Sequence, residues 1–136
     1  DMDEYLDRRA DKLSTGMTQK TNIARAVIHE PEVVILDEPT TGLDIMATQT
    51  VMDFIQSLKD KGVPVIFSTH HLDEVEALCD RVAVINKGVS VFDGSLDDFR
   101  ACADNGEMHH AFLNVLNNKA KKANDTVIGE EAVLCG

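Results

Sequence analysis

Val33-Val34-Ile35-Leu36-Asp37-Glu38-Pro39-Thr40-Thr41-Gly42-Leu43-Asp44 is the stretch whose reading decides the fold of this chain. Val33 to Leu36 form an unbroken apolar, mostly β-branched run, which reads as a strand buried on both faces. Two carboxylates, Asp37 and Glu38, leave its C-terminal end, and Pro39-Thr40-Thr41-Gly42 is turn chemistry. In open α/β sheets ligands bind outside the carboxyl ends of the strands, so the acids stand where chemistry is done. Adjacent acids in a dry setting repel each other and resist desolvation unless a cation and a water divide them between two tasks. Taken alone, the same residues read equally well as a strand ending in an ordinary polar turn.

Upstream, Ser14 is placed to cap a helix in which Met17, Ile23, Ala24, Val27 and Ile28 recur at helical spacing before Pro31. Downstream, residues 45–61 carry Val51, Met52, Ile55 and Leu58 on one helical face and stop at Gly62. Val63–Ser68 reads as a second buried strand, with Pro64 near its start where proline is tolerated. Residues 72–79 read as a short helix whose Asp73, Glu74 and Glu76 form a solvated acidic face. Arg81–Asn86 reads as a third strand, turning at Lys87-Gly88 into Val89–Asp93. Ser95-Leu96-Asp97-Asp98 has the form of a capping box opening a further helix. Residues 1–12 are helical or irregular, 108–122 have helical character, and the last dozen residues carry no clear pattern. The strand–helix alternation predicts an α/β fold, a parallel sheet flanked by helices.

Composition bounds the function. The 136 residues are 43% hydrophobic, enough for one modest core, and carry a formal charge of −11. Nucleic-acid surfaces need clustered Lys and Arg, so no nucleic-acid partner is expected. Cys79, Cys102 and Cys135 are widely spaced and odd in number, which argues against a disulfide framework or a zinc site and for a reducing cytosol. No apolar run approaches the ~20 residues that span a bilayer. The opening Asp1-Met2-Asp3-Glu4 lacks the order of a signal peptide and lacks an initiator Met, so the chain reads as part of a longer one.

Four motifs stand in order: Leu13-Ser14-Thr15-Gly16-Met17 at a helix start, Val33–Glu38, Leu43-Asp44, and Ser68-Thr69-His70 at the end of the next strand. Together they resemble the nucleotide-binding domain of ABC ATPases, over roughly residues 5–100. Leu13–Met17 resembles the signature motif, Val33–Glu38 the Walker B strand, Leu43-Asp44 the D-loop and His70 the switch histidine. The resemblance implies ATP and Mg²⁺ as cofactors, with Asp37 holding Mg²⁺, usually through water, and Glu38 acting as catalytic base. His70 would reach the γ-phosphate and the attacking water. Ser14, Thr15, Gly16 and Met17 would face the ATP of an opposite subunit, since a helix N-terminus presents unpaired N–H groups to an anion. Ser14 is equally read as a plain N-cap. Asp44 would lie at the interface of two ATPase domains, and Gly42 serves the turn. His29, His71, His109 and His110 show no ligand pattern. Thr15 and Met17 depart from the common signature and resemble the variants of the ABC-2 and sodium-exporter type.

No G-x-x-x-x-G-K-[ST] occurs in the 136 residues, so the Walker A loop that cradles phosphates is absent from them. The resemblance places that loop's strand between those matching 63–68 and 82–86, which would leave a gap in this sheet with exposed edges. The expectation is therefore an incomplete P-loop NTPase-like sheet. Residues 1–100 would be the C-terminal portion of a nucleotide-binding domain and 101–136 an extension of no assignable role. The isolated chain is expected to be inactive. The expected parent is a cytoplasmic ATPase subunit, peripheral on the inner face of the membrane. It would power an exporter together with a second ATP-binding domain, as a homo- or heterodimer, and transmembrane permease subunits. The alternative is a soluble, non-transport ABC ATPase of DNA repair, chromosome organisation or translation.

Overall fold

The computed structural model describes residues 9–120 and 131–135, so expectations for residues 1–8 and the segment 121–130 lie outside the described residues. The chain divides into two compact units, residues 1–66 and 67–136.

The first unit opens with a short 3-10 helix, Ala10–Lys12, followed by helix α1, Thr15–Val27. Ser14 starts α1 as its sequence suggests: it is extended, and its side chain accepts a hydrogen bond from the Met17 amide. Strand β1 is Val34–Leu36 and helix α2 is Ile45–Asp60. Gly62, at φ 76°, turns the chain after α2 with a backbone conformation that side chains disfavour. Strand β2, Val65–Thr69, begins here and runs into the second unit; just before it, the Pro64 carbonyl accepts from the Val34 amide. The core of this unit is Ile23, Val34, Leu36, Ala47, Val51, Ile55, Leu58 and Val65.

One expectation fails at β1. Its burial alternates, Val34 and Leu36 buried and Ile35 71% exposed, so the strand is covered on one face only. A continuous apolar run records that both faces are apolar; it does not record which of them meets a partner.

In the second unit, helix α3 is Leu72–Leu78, strand β3 Arg81–Asn86 and strand β4 Val89–Ser95. Helix α4, Leu96–Arg100, starts at a complete capping box between Ser95 and Asp98, and helix α5 is Met108–Ala120. Lys87 and Gly88, at φ 52° and 73°, form the β3–β4 hairpin turn, and the two strands pair antiparallel from Arg81↔Ser95 to Asn86↔Val89. Helix α5 packs on α3, α4 and β4. Phe99, with no exposed surface, anchors this core and meets Phe92 edge to face at 5.2 Å.

A strand absent from the sequence reading fills the sheet. Strand β5, Glu131–Cys135, lies between β2 and β3, antiparallel to both, with Ser68↔Leu134 and Ala83↔Leu134 as register partners. The order in this unit is β2-β5-β3-β4. Because β2 and β3 each oppose β5, they run parallel to each other, as the strand–helix–strand pattern requires. The expected gap between them is thus filled, and the sheet is mixed rather than wholly parallel. Unpaired backbone donors and acceptors on two facing edges are costly, and a short apolar segment from the chain's own C-terminal side satisfies them. The reading of the cysteine spacing as arguing against disulfides is corrected at one position: Cys79 is buried and disulfide-bonded, while Cys102 is free. Spacing along the chain does not report which thiols meet in space.

Candidate functional site

Three of the four sequence motifs fall in the first unit, and its local packing brings them together. Gly16 lies at the start of α1 beside the start of α2: a methyl group built on it would stand 3.7 Å from the Leu43 side chain and 3.9 Å from that of Ala47. Gly42, at φ 74°, lies next to the Thr15 side chain, where a methyl group would come to 3.9 Å. One turn further along α1, the Gln19 side-chain amide donates to the Pro39 carbonyl at 3.0 Å. The N-terminal turn of α1 is therefore packed on the loop 39–44 that follows the two acids. Sequence spacing could not give this contact, and Gln19 is a positioning residue that the sequence reading missed.

Just before that loop, Glu38 has an unusual backbone. Its φ is 40°, in the left-handed region that glycine favours, and such residues carry on the order of 1–3 kcal/mol of local strain. The turn is held by the Thr41 amide donating to the Glu38 carbonyl at 3.2 Å. The Thr41 hydroxyl donates to the Glu38 carboxylate at 2.7 Å. A strained backbone and a charge-assisted hydrogen bond together fix the direction of an exposed carboxylate, which is the requirement on a group that must meet a water. Asp37 is exposed beside it. The Thr40 hydroxyl, on a residue 5% exposed, has no hydrogen-bond partner among the described residues.

Asp44 and Ser14 each hold a structural post. The Asp44 carboxylate accepts from the Ala47 amide at 2.8 Å and caps α2, and Ser14 caps α1 at 3.2 Å. Both residues are exposed, as are Thr15 and Gly42, while Gly16 and Met17 are half-buried. Capping does not exclude a second contact, because a hydroxyl retains a donor after accepting. Among the described residues no three His, Cys, Asp or Glu side chains gather as a metal-holding group. The donor set fits Mg²⁺ all the same. That ion keeps several waters and is commonly held by one or two carboxylates plus substrate phosphates, so Asp37 alone is a sufficient protein contribution.

The fourth motif is in the second unit. His70 is exposed at the end of β2, its ring 4.1 Å from that of His71. The backbone turns there because the Thr69 hydroxyl accepts from the His71 amide at 3.0 Å. The same hydroxyl donates to the Glu74 carboxylate at 2.7 Å, and Thr69 and Glu74 are only 2% and 3% exposed. The expected solvated acidic face on α3 is thus corrected at Glu74, which points into the protein. Helical periodicity permitted this, since Glu74 is adjacent to Val75 and Leu78 on a helix of only two turns. Glu76 is exposed and pairs with Arg100 at 2.9 Å. His29 and His109 are exposed, and His110 meets Glu107 at 2.9 Å.

No helix of the described residues is long and apolar enough to cross a membrane. A profile of the ABC transporter family matches residues 1–41. The ABC transporter ATP-binding protein NatA of Bacillus subtilis is 40% identical over 115 residues, covering 85% of this chain and 47% of that protein. An uncharacterised ABC transporter ATP-binding protein of Methanocaldococcus jannaschii is 38% identical over 130 residues, covering 96% of the chain and 47% of the relative. The Nod factor export ATP-binding protein I of Burkholderia orbicola is 37% identical over 94 residues, covering 69% of the chain and 31% of the relative. The chain thus spans less than half the length of these relatives. Among solved structures, one described as an inward-facing metal-chelate type ABC transporter superposes with a TM-score of 0.59 at 30% identity, covering 65% of this chain and 36% of that one. An ATP-binding cassette of an ABC transporter, 22% identical with a TM-score of 0.60, shares the fold over 88% of this chain and 43% of its own. The ordered motifs, the α/β architecture and these relatives agree, and the chain belongs to the ABC transporter ATP-binding family.

Proposed function

We propose that this chain is the C-terminal portion of the nucleotide-binding domain of an ATP-hydrolysing subunit that powers an ABC-type exporter, in the manner of the ABC-2 and Nod-factor-export group. In this reading residues 1–100 belong to the nucleotide-binding domain and 101–136 extend it. The observation that carries the proposal is the fixed carboxylate of Glu38, held by the Thr41 hydroxyl on a left-handed backbone at the end of an apolar strand.

Bound Mg²⁺ and ATP would supply the reactive phosphoryl group and neutralise its charge; the chain supplies positioning and proton acceptance. Asp37 would hold the metal, and Glu38 would orient the attacking water and accept its proton. His70, presented at the end of β2, would hydrogen-bond the phosphoryl oxygens. Ser14, Thr15, Gly16 and Met17 would serve the nucleotide of a second ATP-binding domain, with Asp44 at the junction between the two. The packing of Gly16 on Leu43 and Ala47 supports that pairing of roles, since it ties the signature turn to the D-loop. Transmembrane permease subunits would provide the membrane contact, placing the subunit on the inner face of the cell membrane. The names of the relatives support transport over a soluble role: NatA is an ABC transporter ATP-binding protein and the Burkholderia protein is named for Nod factor export.

The test is Glu38→Gln in the full-length subunit. A general base contributes about 10²–10⁴-fold, so turnover should fall by that factor while ATP remains bound. Wild-type turnover in that variant would remove Glu38 from the mechanism.

A further inference from the structure

The Thr69–Glu74 pair is a buried polar contact for which the family roles assigned above have no use. A carboxylate 3% exposed is expensive to keep unless its hydrogen bonds are made, and an apolar side chain would fill the same helix position at less cost. Its partner is the residue next to His70. The Thr69 hydroxyl donates its one proton to Glu74 at 2.7 Å, which leaves its lone pairs to accept the His71 amide at 3.0 Å. These two bonds clamp the chain on both sides of His70. The cap of α3 offers no substitute: the His71 side chain makes no capping hydrogen bond, and only its carbonyl engages the helix, through the Glu74 and Val75 amides.

We propose that Glu74, acting through the Thr69 hydroxyl, is a positioning residue that sets the direction in which β2 presents His70. This rests on the reading of His70 as a hydrolytic residue, and the test separates the two. Thr69→Val is nearly isosteric and removes both clamp bonds. In the full-length subunit it should raise hydrogen exchange of the His71 amide by about tenfold or more while leaving the Val84 amide unchanged. It should lower kcat by roughly ten- to a hundredfold with the KM for ATP unmoved, since the loss is of orientation. Thr69→Ser, which keeps the hydroxyl, should restore both readouts. Glu74→Leu, which removes one of the two clamp bonds, should shift both readouts in the same direction by less, and in a His70→Ala background neither variant should lower kcat further. Unchanged exchange at His71 overturns the clamp whatever the kinetics show, and a full additional loss of kcat in the His70→Ala background overturns its action through His70. Raised exchange beside an undiminished kcat in His70→Ala leaves the clamp standing and removes His70 from hydrolysis instead.

Discussion

Residues 1–66 leave Ile28, Val33, Ile35, Ile45, Met46 and Ile66 between 38% and 87% exposed, whereas residues 67–136 expose, among large apolar side chains described, Val89 and Leu113. Both units are built from the same kinds of strand and helix. In the second, β5 completes the sheet and α5 packs over α3, α4 and β4. In the first, α1 packs on β1, while Ile35 on that strand and Val33 just before it are exposed. The unit that carries the signature turn, the acid pair and the D-loop is therefore the one with open apolar surface. Large exposed apolar surface is typical of a face that meets other protein, and the exposed side chains of Val33 and Ile35 are the part of the contrast that fits such a face.

The contrast can be broken at several points. Phe99→Ala should be the most damaging change, about 3–5 kcal/mol by urea denaturation, because Phe99 is wholly enclosed and loses its contact with Phe92. A loss below 1 kcal/mol would show that the second core is not closed. Within β1, Leu36→Ala should cost about 2–5 kcal/mol and Ile35→Thr no more than about 0.5 kcal/mol. Equal costs would mean that the outward face of β1 is covered after all. At the start of α2, Asp44→Ala should cost about 1 kcal/mol through the lost cap, and Asp44→Asn should recover most of it. If Asn and Ala destabilise alike, the carboxylate is needed for its charge rather than as a cap.

The smallest effect is expected at Asp98, in the capping box of the second unit. Hydrogen bonds from the Ser95 side chain and backbone, with a lesser contribution from Arg81, hold its carboxyl below the ordinary value. A depressed folded-state pKa stabilises the fold above the unfolded pKa of about 3.9 and is lost as pH falls through the folded value. Wild type should thus exceed Asp98→Asn in stability at neutral pH, and the difference should begin to shrink only below about pH 4 and vanish as pH falls through the lower folded value. Parallel acid profiles for the two proteins would contradict this.

The strands and helices through residue 100 were legible because most carry a local signal: Ser14 and Ser95 as caps, Pro31 and Gly62 as stops, Lys87-Gly88 as a hairpin. The placement of the acid pair and of His70 just past the ends of β1 and β2 was legible from the apolar runs that precede them. What stayed hidden depends on contacts between distant residues. Strand β5 is short and follows a segment with no periodicity, and its place between β2 and β3 follows from two edges that only the folded sheet creates. Glu74 carries the same charge as Asp73 and Glu76, and only the turn of a short helix, together with the Thr69 hydroxyl, separates its burial from their exposure. The hold of Thr41 on Glu38 was likewise invisible, although turn residues three apart commonly hydrogen-bond in this way.

The central claim is that these 136 residues supply groups for hydrolysis and for a partner's nucleotide, while the phosphate cradle comes from elsewhere. Calorimetric titration of the 136-residue chain with Mg-ATP tests it most directly. The account predicts no saturable binding in the micromolar range, because no Gly-rich loop with its lysine is present to neutralise the phosphates. Stoichiometric binding with micromolar Kd would contradict it.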